Sequence, residues 1–159
     1  MADAECVAIA KAVTAALNAG AFSKTFTAAR SYADWDEELA DDDGDLHVDV
    51  VVSQTGAEDQ LATRGSAALS TPIDIGVRKK LGTTEQDEST GRIETSEVDD
   101  LQKLVEELRV FFLGSALTGY TGAKWKSSNP RLTFNRRHLR EHRQFTAIIR
   151  VVFDSRVLI

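Results

Sequence analysis

Apolar residues change their spacing several times along the chain, and each spacing predicts an element. Cys6, Ile9, Ala10, Val13 and Leu17 recur at intervals of three and four, the spacing of one helical face, among alanines that favour helix. Gly20 comes next as a stop able to take the left-handed conformation. Phe22 to Ala33 suits a half-buried strand, with Phe26, Ala28 and Arg30 on one side and Thr25, Thr27 and Ala29 on the other. Leu46, Val48, Val50 and Val52 alternate with His47, Asp49 and Ser53, the clearest strand of the first half. Between Gln54 and Thr71 no period is sustained, which predicts a long connection with room for a short helical turn at Glu58 to Arg64. Ile73, Ile75 and Val77 then alternate with Asp74, Gly76 and Arg78 as a third strand ending in Arg78-Lys79-Lys80.

The polar stretch from Gly82 to Thr95 predicts another exposed connection. Ser96-Glu97-Val98-Asp99 has the form of a capping box. Behind it Val98, Leu101, Leu104, Val105, Leu108, Phe111 and Phe112 make the apolar stripe of a helix over about Glu97 to Leu113, closed by Gly114. Gly119, Gly122 and Pro130 interrupt the next stretch, Leu132 and Phe134 mark a weak strand, and Arg136 to Arg143 spans one or two helical turns. Phe145, Ala147, Ile149, Val151 and Phe153 alternate once more. Ile148 and Val152 on the opposite face are apolar too, which predicts a central strand covered on both sides. Strands grouped around helices in this order predict a single α+β domain, with a mostly antiparallel or mixed sheet of about four strands, flanking helices and long polar loops.

A chain of 159 residues can bury a core without staples. Its single cysteine, Cys6, excludes an intramolecular disulfide and a four-thiolate zinc site, and fits a reducing compartment. No apolar run is long enough to span a bilayer, and no membrane partner is expected. The acids ahead of the first apolar stretch are unlike the basic start of a secretory signal. The formal net charge of -6 conceals a division. Residues 1–100 carry 8 basic and 21 acidic side chains, a net of -13, whereas residues 101–159 carry 11 basic and 4 acidic, a net of +7. Nine acids lie between Asp34 and Asp49 with no Lys or Arg, and seven Lys or Arg lie between Lys124 and Arg143 with one acid, Glu141. Asp41-Asp42-Asp43-Gly44-Asp45 reads as a solvated tip. Opposite charge blocks allow copies to meet head to tail, or two partners of opposite sign to be met.

Motifs for chemistry are few. The dinucleotide fingerprint, the Walker A spacing and the Gly-x-Ser-x-Gly elbow are absent. Cys6 on an apolar helical stripe reads as a small buried hydrophobe. His138-Leu139-Arg140-Glu141-His142 spells a His-x-x-Glu-His zinc pattern, the basis of a rival reading as a metal-dependent hydrolase. Its neighbours Arg136, Arg137, Arg140 and Arg143 repel a divalent cation, and His47 lies on another strand, so neither metal nor cofactor is expected. The acids at 34–49 lack the ligand spacing of a calcium loop. Lys124 to Arg143 with Trp125 and Phe134 has residue types that bind nucleic acid, but the acidic balance of the whole chain opposes that role. Trp35 and Trp125, each flanked by charge, are candidate interface anchors.

Four segments in order, FTAARSYADWDEELADDDGDLHVDVVV, IDIGVRKKL, EVDDLQKLVEELRVFF and HLREHRQFTAIIRVVF, resemble the tail terminator (tail completion) proteins of long-tailed bacteriophages over about Phe26 to Phe153. The resemblance implies a virion protein without catalytic residues, assembled in the host cytoplasm. Six subunits typically form a ring on the end of the tail tube, stop its growth and present a surface to the head-side connector. Genomic DNA passes through the lumen without specific binding. Another neck component or a tail tube component is the alternative within the same class. The charge division suits heterologous contacts in such a ring, with Asp41, Asp42, Asp43, Arg136, Arg137, Arg140, Arg143, Trp35 and Trp125 as interface candidates. The arginines would pair with acids at 34–45 across a boundary, or the acidic tip would instead face the lumen. The connections at 54–71 and 82–95 would serve as arms reaching neighbours.

Overall fold

Period-two alternation builds the layers. The computed structural model describes residues 3–32, 34–53, 58–81, 95–117, 119–120 and 122–158. The elements are α1 (Glu5–Ala19), β1 (Ala28–Arg30), β2 (Leu46–Val52), β3 (Glu58–Thr63), β4 (Ser66–Lys80), α2 (Thr95–Phe111), β5 (Lys124–Leu132), α3 (Arg136–His142) and β6 (Gln144–Leu158). They form an α+β fold around one six-stranded mixed sheet in the order β1-β2-β4-β6-β5, with β3 also against β4. β1 runs parallel to β2, and every other pairing is antiparallel.

The apolar face of the sheet comes from Val48 and Val50 of β2, Ile73, Ile75 and Val77 of β4, and Phe145, Ala147, Ile149, Val151 and Phe153 of β6. Onto it pack Ile9, Val13 and Leu17 of α1 and Leu101, Leu104 and Leu108 of α2, all at most 1% exposed. Burying each such side chain contributes about 1.5–3 kcal/mol, so these two helical stripes dominate the core. β6 is central, as its double-sided apolar pattern predicts, lying between β4 and β5. Phe112 meets Phe153 edge-on at 5.6 Å between centroids, and Phe22 meets Phe111 at 5.0 Å.

Several expectations are corrected. The strand expected over Phe22 to Ala33 shrinks to three residues, because Asn18 takes both the N–H and the C=O of Ala28, at 2.7 and 3.0 Å. Gly20 ends α1 in extended rather than left-handed backbone (φ -78). It is glycine for space, since a Cβ there would stand 2.8 Å from the Phe22 ring and 3.0 Å from that of Phe111. Gly114, in contrast, is left-handed (φ +69), as its place after α2 predicts. α2 begins at Thr95, so Ser96 and Glu97 lie inside its first turn, and the Glu97 carboxylate accepts from Lys79 instead of capping. The connection expected at Gly82 to Thr95 lies outside the described residues up to position 94.

The largest correction concerns Gln54 to Thr71. Its described part is neither loop nor helical turn but β3 and the first third of β4, a hairpin turned at Arg64-Gly65. Small residues with no clear period can still pair when a long strand is there to template them, and β6 supplies it. β4 and β6 stay in register from Lys80↔Gln144 to Ser66↔Leu158. Core residues stop at Ile73 on β4 and Phe153 on β6. Outward of them β3, Ser66–Ser70 and Asp154–Leu158 form a three-stranded arm.

Candidate functional site

Apart from Val51, Ile148 and Val152, the face of the sheet opposite α1 and α2 is polar, and the same alternation makes it so. Asp49 on β2, Asp74, Gly76, Arg78 and Lys80 on β4, and Gln144, Thr146 and Arg150 on β6 occupy the positions between core residues. Asp74 lies directly opposite Arg150 and accepts from its Nε at 2.9 Å. Arg131 Nη1 reaches the other Asp74 oxygen at 2.9 Å, and Arg150 Nη2 donates to Ser53 Oγ at 2.8 Å. Arg78 Nη2 donates to Asp49 at 2.8 Å, in a pair that is almost wholly buried.

The acidic segment crosses this face as a strap. Past its crossing, Asp41-Asp42-Asp43-Gly44-Asp45 is the solvated turn expected, exposed at every position but Asp43. Trp35 lies flat on Gly76, where a Cβ would stand 2.0 Å from the indole ring, so only glycine admits the contact. The Arg78 guanidinium sits 5.7 Å from the same ring, held between Trp35 and Asp49. Further along, the Leu39 N–H donates to the Gln144 side chain at 2.7 Å, and Gln144 in turn donates to Thr146 at 3.0 Å. Glu38 accepts from Lys80 at 2.6 Å and faces His142 at 3.1 Å. Asp41, though exposed, lies 3.2 Å from Lys80. Asp43 meets His47 at 2.8 Å. Partial burial pushes the Asp43 carboxyl up, but the Asp45 N–H, the His47 contact and the charge of Arg78 outweigh it and hold the group below its ordinary value. Asp42 is exposed at the turn.

α3 lies beside the strap. Asn135 caps it by accepting from the His138 N–H at 3.2 Å, and Arg143 closes it in left-handed backbone (φ +47). His138 is buried, with Nδ1 2.8 Å from Thr146 Oγ1. Burial and the nearby charges of His142 and Arg137 lower its pKa. Arg137 pairs with Glu141 one turn on, at 2.9 Å, and Arg136 lies 5.9 Å over the Phe134 ring. Arg140 and Arg143 are exposed and make no ion pair among the described residues.

The fold therefore brings Trp35, Asp41, Asp43 and α3 to one face of one subunit. The strap acids form ion pairs with Lys80, His47 and His142 of their own chain, and the charge of Asp36 also reaches Arg137. Trp125 is elsewhere: it stands opposite Phe153 on the helix-covered face, half-buried, with Nε1 donating to Ser128 at 2.7 Å. Both tryptophans are thus partly packed into their own chain rather than free on the surface. Asp49, Asp74, Arg78, Lys80 and Arg150 were not singled out as site residues by sequence. The signal was there in charged residues set between Val or Ile neighbours, as at Asp49, Asp74 and Arg150.

Clefts open on this face. One of about 360 Å³ lies between Trp35, Val52, Asp74 and Arg131, and one of about 380 Å³ between Glu38, Lys80, His142 and Arg143. In the first Asp74 is matched by Arg131, and in the second Glu38 is matched by Lys80 and His142. Among the described residues no three His, Cys, Asp or Glu side chains stand together as metal ligands, and the two zinc-pattern histidines are engaged by Thr146 and Glu38. No helix in the described residues is long and apolar enough to cross a membrane. No protein-family model matches the chain, and neither does any curated protein.

Proposed function

We propose that this chain is a structural joining protein of a long-tailed bacteriophage, which closes into a ring at the head-proximal end of the tail tube. It ends tube growth there and docks the head-side connector, and the genome passes through its lumen. The observation that carries this reading is the arm. In β3, Ser66–Ser70 and Asp154–Leu158 the sheet continues beyond the apolar core that α1 and α2 cover. It suits contact with a neighbour. The exposed Arg140 and Arg143, without acid partners among the described residues of their own subunit, support a charged contact as well. The sequence resemblance supplies the kind of assembly.

Electron microscopy of the purified protein, with its mass measured in solution, tests the reading. Closed rings of uniform size that cap isolated tail tubes are expected. A monomer that leaves the tubes uncapped and still growing overturns it.

A further inference from the structure

A β-sheet edge left bare is a template for another strand, and folded proteins blunt such edges by shortness, proline, lysine or irregular register. The edges of the main sheet are blunted here. β1 is three residues long and capped by Asn18 at Ala28. β5 carries Lys124, Lys126 and Pro130, shifts register twice, and is covered at its start by Ser115, whose carbonyl accepts from the Trp125 N–H at 3.0 Å. The arm differs. Among the described residues β3 pairs only with β4, and β5 leaves β6 at Asp154, so Ser155–Leu158 has no strand on that side. Neither segment contains proline or lysine.

These two bare edges flank one ribbon and are complementary. β3 and β6 both run antiparallel to β4, so they run parallel to each other. A rotation that continues the sheet from one copy to the next lays β3 of the second along Ser155–Leu158 of the first, again parallel. The contact is heterologous, with different surfaces on its two sides, which is the kind that repeats around a closed ring. Through β4, Gln60 shares a row with the exposed Arg156 and Glu58 a row with Asp154. Arg156, two positions on, and Lys126, 3.7 Å from Asp154, supply the positive charge that balances these two acids along the contact.

We propose that the subunits join by parallel strand addition, the β3 edge of one copy against Ser155–Leu158 of the next, so that one sheet runs through the ring. The inference rests on the ring reading above and says which surfaces close it.

Cross-linking tests it in the full-length chain. Within one copy Gln60 and Arg156 are two strand spacings apart, about 9–10 Å. That is too far for a disulfide, so any bond between cysteines there must join two copies. In a Cys6→Ala background, Gln60→Cys with Arg156→Cys should give, on oxidation, a ladder of covalent multimers reaching the size of the ring. Each single substitution should give none beyond a dimer. Rings seen by microscopy without a ladder overturn the edge pairing and leave the ring reading standing, whereas a protein that stays monomeric overturns both. Arg156→Glu, at an exposed position, provides the second measurement. The fraction assembled at fixed concentration should fall several-fold with the thermal transition of the dissociated subunit unchanged, and an undiminished fraction counts against the pairing.

Discussion

Asp74 keeps 2% of its surface in contact with water and lies between two guanidinium groups, those of Arg131 and Arg150. A buried ion pair adds little net stability, but removing one partner leaves the other unmatched. Asp74→Asn should therefore destabilise the subunit by about 3 kcal/mol, the lower end for such a loss because both arginines keep some solvent. Urea unfolding reads this directly, and a change below the error of extrapolation would contradict it. Gly76 is constrained in another way, since its missing Cβ is the space that Trp35 fills. Gly76→Ala forces the indole off the sheet at a cost of about 1–3 kcal/mol. In a Trp125→Phe background, Trp35 emission should shift to the red, because the ring loses its seat between sheet and strap.

Single ionic contacts also tie whole elements together. Glu97 in the first turn of α2 accepts from Lys79 at 2.7 Å and lies 3.4 Å from Lys24, joining the helix to β4 and to the segment before β1. The hydrogen bond from Lys79 holds its carboxyl below the ordinary 4.5, against partial burial, with the charges of Lys79 and Lys24 adding to the same effect. A lowered carboxylate contributes stability that is fully present above pH 4.5 and is lost as pH falls through the folded value. Glu97→Gln should remove that part of the acid-side slope and leave the alkaline side unchanged, as unfolding at a series of pH values would show. α3 depends on its cap in a similar way. Asn135→Ala frees the His138 N–H and should cost about 1 kcal/mol, read by thermal unfolding.

On the scale of the whole molecule, folding closes the charge division along the chain at a few points, Asp74 with Arg131 and Arg150 and Glu38 with His142. The acidic strap and basic α3, about a hundred residues apart in sequence, lie on one face. Glu38 joins the strap to α3 through His142 and to β4 through Lys80. The pairing proposed between copies must therefore use the charges left over, Arg140 foremost, since Arg137 is taken by Glu141. Arg136→Glu with Arg140→Glu should lower assembly while leaving subunit stability within about 0.5 kcal/mol, because both sites are exposed. Wild-type assembly should weaken from low to high salt, and the variant should lose that dependence. Analytical ultracentrifugation across a salt series decides it, and a variant that assembles like the wild type would remove α3 from the interface.

The sequence alone determined the α+β class, both long helices, β2, the inner half of β4, α3 and central β6. In these segments a period of two or of 3.6 places apolar groups on one side, and burial of that side dominates the free energy. What only tertiary structure decided lies where no period exists. Glu58–Ser70 is strand because β6 runs on beside β4 and offers its backbone groups, and β1 stops short because Asn18 takes the bonds of Ala28. The acids at 34–45 become a strap because Gly76 leaves room for Trp35 and because Lys80, His47 and His142 await them across the fold. A hydrophobic pattern reports which side of an element turns inward. It does not report which distant cation a carboxylate will meet, or which edge of a sheet is left bare.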